Sequence, residues 1–128
     1  MTGGIIYYVG LEVSQHSSEQ LCRFYDIKTK RLHSTLAYSR EWFPYKRLDR
    51  KYTIHPPYNT DLFCSLIVLC YSDIEITNRH KDFLSSGAKW NFDEFKSHIT
   101  IGPIPFTTKV PDFQIIFSHE YYGTWREK

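Results

Sequence analysis

The chain has 128 residues, enough for one domain spanning 1–128 that buries a core without disulfides or metal. Hydrophobic residues make up 41%, charged residues 23% and aromatic residues 17%, a globular balance with a surplus of rings that suit both cores and the stacking of flat ligands. The formal charge of +2 is too weak for a broad duplex nucleic-acid face, and no apolar run approaches the roughly 18 residues of a membrane span.

Residues 5–13 (IIYYVGLEV) predict a strand rich in β-branched and aromatic residues. A helix is expected in SQHSSEQLCRFYDI, capped by Ser17 or Ser18, with Leu21, Cys22, Phe24 and Tyr25 on its apolar side. RLHSTLAY predicts the second strand. Residues 40–60 read as irregular, with Pro44, Pro56, Pro57 and Asn59 and a short strand near YTIH. DLFCSLIVLCYS, residues 61–72, reads as one central strand. A second helix follows, capped by Thr77 or Asn78 and ending near Gly87 as its C′ residue. KSHITIGPI is a strand stopped by Pro103 and Pro105, and DFQIIFSHEYYGTW is the last strand or strand pair.

The order strand, helix, strand, strand therefore occurs twice. It predicts an α+β fold of two pseudo-symmetric βαββ-type halves, with antiparallel sheets forming a central cleft and helices outside.

Within that order one motif repeats. His33 and Thr35 stand at i and i+2 in LHSTLAY, and His98 and Thr100 do so in SHITIG, about half the chain later. Strand alternation points the histidine and threonine of each motif the same way. Imidazoles can serve as base and acid near neutral pH, and hydroxyls can donate to charge developing on a phosphate. Zinc is the competing use of two histidines, but a third ligand at recognisable spacing is missing, so no metal and no cofactor are expected. Cys22, Cys64 and Cys70 are odd in number and lack CxxC spacing, which reads as free thiols in a reducing cytoplasm. His16 falls at a helix start, while His55, His80 and His119 have no partner pattern. Trp90 and Phe92 read as core or rim.

Paired H-x-[ST]-h motifs resemble the 2H phosphoesterase superfamily. Together with YYVGLEVS and FDEFKSHITIG, they are similar to its phage anti-CBASS branch, which cleaves the cyclic oligonucleotide messengers of bacterial antiviral signalling. The resemblance implies a metal-independent phosphodiesterase acting in the infected host's cytoplasm on cyclic di- or trinucleotides. His33 and His98 would be acid and base in either order, and Thr35 and Thr100 the phosphate-binding hydroxyls. The nucleophile would be the neighbouring 2′-hydroxyl or water.

The base-binding residues are less constrained. Trp42 lies in SREWFPYKRLDRK, where Arg40, Lys46, Arg47, Arg50 and Lys51 alternate with rings, so it is a stacking candidate or a core residue. Tyr8 is preferred to Tyr7 because it aligns with the tyrosine that opens this strand in the resembled branch. Glu120, Tyr122 and Trp125 of the C-terminal segment would close over a base, with an ordinary docked strand as the alternative. Two rival functions remain at this point: an RNA-end 2′,3′-cyclic phosphodiesterase on the same fold, and a non-catalytic cyclic-nucleotide sponge. The oligomeric state is not written in the sequence.

Overall fold

In the computed structural model, residues 4–90 and 94–126 are described. Among them the elements run β1 (Ile5–Val13), α1 (Gln15–Phe24), β2 (His33–Ser39), β3 (Tyr52–Ile54), β4 (Asn59–Phe63), β5 (Leu66–Cys70), α2 (Ile74–Ser85), β6 (His98–Gly102) and β7 (Ile115–Arg126). The strands form one antiparallel sheet in the order β3-β7-β1-β2-β6-β5-β4. The α+β class is met, with one sheet where separate sheets were expected. None of the described helices is long and apolar enough to cross a membrane.

Helix α1 begins earlier than expected. Ser14 is its N-cap, its hydroxyl accepting from the amide of Ser17 at 3.2 Å. Ser17 and Ser18 are buried instead and tie the helix to its surroundings. Ser17 Oγ accepts from the Ile116 amide of β7 at 3.0 Å, and Ser18 Oγ accepts from the Leu32 amide just before β2 at 3.1 Å. Each satisfies an amide that would otherwise be costly to bury.

Helix α2 likewise starts before its predicted cap. Asp73 accepts from the Ile76 amide at 2.9 Å, and Gly87 follows the Ser86 C-cap at φ +115°. The carboxylate outcompetes Thr77 and Asn78 because it also meets the positive end of the helix dipole.

The segment 61–72 is a hairpin, not one strand. Phe63 pairs with Leu66 across a two-residue turn, in which Cys64 (φ 51°) and Ser65 (φ 66°) both take left-handed backbone. Hairpin turns with positive φ at both central positions match strand twist, so the chain reverses here without glycine or asparagine.

One core cluster joins Val9, Leu11, Leu36, Phe117 and Ile99 of the sheet to Leu21 and Cys22 of α1 and Ile76 and Phe83 of α2. Burying each such large side chain contributes on the order of 1.5–3 kcal/mol. Both helices thus pack on one face of the sheet. The opposite face is left to carry the site.

Candidate active site

The two motif strands are neighbours. Ser34 of β2 and Ile99 of β6 are Cα partners, both buried on the core face. Continuing this antiparallel register by one residue each way sets His33 across from Thr100 and Thr35 across from His98. Side chains flanking a core-facing pair project to the other side of the sheet, and directly opposite Cβ atoms lie about 4.5–5.5 Å apart. Ser34 is anchored beneath by a 2.7 Å hydrogen bond between its hydroxyl and that of Tyr71.

A bulge follows the threonine in both motifs. Gly10 pairs with Thr35 and Val9 with Ala37, which leaves Leu36 as the extra residue; Val68 pairs with Thr100 and Ile67 with Gly102, which leaves Ile101. A bulge re-aims the side chains beyond it. Leu36 and Ala37 therefore both face the core, and Tyr38 turns to the same side as Thr35. Buried His80 of α2 holds the first bulge: its Nδ1–H donates to the Leu36 carbonyl at 2.7 Å, while its ring stacks on Phe95 at 3.8 Å.

The exposed face carries a groove in two lobes that share Thr35 and Tyr38. The lobe of about 560 Å³ is walled by Leu62, Phe63 and Cys64 of the hairpin tip, by Trp90, and by His98. The lobe of about 520 Å³ is lined by Tyr8, His33, Tyr121 and Trp125. Each falls within the roughly 300–1,000 Å³ of small-ligand clefts. Thr100 shares the motif face but is not among the lining residues of either lobe.

The imidazoles are held differently. His98 Nδ1–H donates to the Lys96 carbonyl at 2.7 Å, which leaves Nε2 as the ring nitrogen not used by that bond. Phe63 lies over that ring at 5.7 Å. Partial burial pushes His33 below its ordinary pKa, opposed by the charge of Glu12 on the neighbouring strand. Glu12 is itself paired with Arg31 and, at 3.0 Å, with His119 Nε2.

Tyr8 and Trp125 both line the lobe that holds His33. Their rings are 5.6 Å apart, and Tyr38 packs on Trp125 at 5.8 Å. Glu120 and Tyr122 do not reach the groove, because β7 alternation puts Tyr121, Gly123 and Trp125 on the other face. Glu120 is fully buried and accepts from Arg79 of α2 through Nε (2.7 Å) and Nη2 (2.9 Å) and from Tyr45 Oη (3.0 Å). Tyr122 stacks on Tyr45 at 5.2 Å. Trp42 is 65% exposed and outside both lobes, since buried Phe43 and the Tyr45–Glu120 bond hold its segment against the helix side. Trp90, expected in the core or at the rim, lines the hairpin-side lobe, and Phe92 lies outside the described residues.

Tyr38, Phe63 and Tyr121 also line the groove, although the sequence pattern does not single them out. The bulge hides Tyr38, the unrecognised hairpin hides Phe63, and Tyr122 is expected where its neighbour Tyr121 is the one that faces the groove. Two consecutive apolar residues after Thr35 were the available sign that alternation breaks.

Among the described residues, no group of three or more His, Cys, Asp or Glu side chains is placed to hold a metal ion. No curated protein matches the chain. The family described as Anti-CBASS protein Acb1 matches residues 7–127, a span that includes both motif strands and β7. The chain belongs to the anti-CBASS protein Acb1 family.

Proposed function

We propose that this protein hydrolyses cyclic di- or trinucleotide messengers of bacterial antiviral signalling, as a metal-independent 2H-type phosphodiesterase in the cytoplasm of a phage-infected cell. The observation that carries this is the Ser34–Ile99 pairing, which supports one phosphate site built from His33, Thr35, His98 and Thr100. The matching bulges after Thr35 and Thr100 support a pseudo-symmetric origin of the two halves.

The chemistry follows from those side chains. One imidazole removes the proton of the attacking hydroxyl, and the other protonates the leaving oxygen. Thr35 and Thr100 donate to the non-bridging oxygens as charge builds there. With a neighbouring 2′-hydroxyl as nucleophile the product is a 2′,3′-cyclic phosphate; with water it is a linear monoester. Strand placement of all four groups limits the motion needed to reach the transition state.

Aromatic surfaces on both sides of the phosphate fit a ligand with two bases. Tyr8 and Trp125 stack one base, and Phe63 of the hairpin faces the other. An RNA end would be met by an open groove with basic walls, whereas the hairpin-side lobe carries Asp61 and Glu94 beside Lys96.

The test is incubation with cyclic GMP–AMP in EDTA followed by chromatography. Linear products support the proposal. Recovery of intact bound ligand marks a sponge, and activity confined to RNA 2′,3′-cyclic ends marks the alternative enzyme.

A further inference from the structure

The hydroxyl of Thr35 carries one hydrogen. That hydrogen can reach a phosphate oxygen only if Thr35 accepts, and does not donate, in its bond with Tyr8. The two oxygens are 3.1 Å apart, and the distance leaves the donor open. Tyr121 biases the direction from behind. Its hydroxyl donates to Tyr8 Oη at 3.4 Å, so the hydrogen of Tyr8 is the one pointed at Thr35.

Tyr121 touches the other motif residue as well. The rings of Tyr121 and His33 meet edge to face, with centroids 6.2 Å apart and planes at 89°. Its strand partner is Gly10, and a Cβ there would lie 2.8 Å from both Cζ and Oη of Tyr121. Only glycine leaves the ring room to lie across β1 toward Tyr8 and His33. Burial first, then the Tyr8 hydroxyl, pushes the Tyr121 phenol above its ordinary pKa, so it keeps its proton as a donor.

We propose that Tyr121 is a positioning residue for the first motif, aiming the Thr35 hydroxyl at the scissile phosphate through Tyr8 and bracing the His33 ring. The inference rests on the phosphodiesterase reading above and adds a residue to it. The hydrogen-bond order is Tyr121 to Tyr8 to Thr35 to phosphate oxygen. No bond to the substrate is made by Tyr121 itself.

A double-mutant cycle with Tyr121→Phe and Thr35→Val tests it, using single-turnover cleavage of cyclic GMP–AMP and of the Rp and Sp diastereomers bearing one phosphorothioate at the scissile phosphate. Phenylalanine keeps the ring against His33 and removes only the relay. Loss of one aimed hydrogen bond predicts a rate drop of roughly 5- to 20-fold for Tyr121→Phe. In the Thr35→Val background the same change should cost less than about twofold, since the two act as one unit. The preference between diastereomers should shift in Tyr121→Phe toward that of Thr35→Val, with an unchanged thermal midpoint. Equal losses in both backgrounds, or a wild-type rate for Tyr121→Phe, overturn the inference while leaving the enzyme reading intact. A wild-type protein that cleaves nothing, or a Thr35→Val variant at full rate, defeats the enzyme reading and this inference with it.

Discussion

Ser34 and Ile99 face each other across the centre of the sheet, and this one pairing decides the geometry of the site. A slip of one residue would send one motif to the core face and separate its imidazole from the other. The Ser34–Tyr71 bond and the His80 bond to the Leu36 carbonyl both fix β2 in that register.

Gly10 is closely packed beside the site. In Gly10→Ala the new methyl would meet the Tyr121 and Tyr8 rings at 2.8 Å. Overpacking of this kind costs about 1–3 kcal/mol. Thermal unfolding should show a lower midpoint, and turnover should fall by more than the loss of folded protein explains. Unchanged turnover would mean the tyrosine pair is not needed.

The Glu120–Arg79 pair belongs to stability. Removing one partner of a buried ion pair costs about 3–5 kcal/mol, because the other charge is left unpaired. Arg79→Ala should therefore lower the denaturation midpoint sharply, as read by urea unfolding. Turnover per folded molecule should stay close to wild type, since the pair lies on the helix side. A selective loss of nucleotide binding with unchanged stability would return Glu120 to the substrate site.

Phe63 should act on binding. Base–aromatic stacking contributes about 1–3 kcal/mol per base. Phe63→Ala is expected to raise KM roughly 5- to 100-fold, with a smaller effect on kcat. Steady-state kinetics on a cyclic dinucleotide checks this, and an unaltered KM would remove the hairpin-side lobe from the substrate path.

Burial lowers the pKa of both His33 and His80; at His80 the bond to the Leu36 carbonyl opposes it. Between those lowered values and about 6.5 the unfolded chain binds more protons than the folded one. Stability therefore rises with pH through that window and is lost as pH falls below about 6.5, levelling off once the folded values are passed. Urea midpoints should drop between about pH 7.5 and pH 5.5, and His80→Gln should flatten the drop. Gln retains an N–H for Leu36 but does not titrate.

The repeated motif was legible because it needs only local alternation: His33 with Thr35 and His98 with Thr100 point together on any regular strand. The helices were legible from their apolar stripes, although Asp73 and Ser14 took the caps from residues deeper in the sequence. Three features depended on tertiary structure. The left-handed pair at Cys64 and Ser65 carries no glycine to announce a turn. The Leu36 bulge inverts the strand alternation beyond Thr35 and brings Tyr38 to the groove face. Glu120 reads as a free carboxylate until Arg79, on a helix 41 positions earlier, is folded against it.

The most direct test is single-turnover cleavage of cyclic GMP–AMP in EDTA by wild type, His33→Ala and His98→Ala, with ligand binding measured in parallel. The account predicts linear product from wild type, a rate loss on the order of 10²–10⁴ in each variant, and retained binding in both. Variants that cleave at the wild-type rate would contradict it.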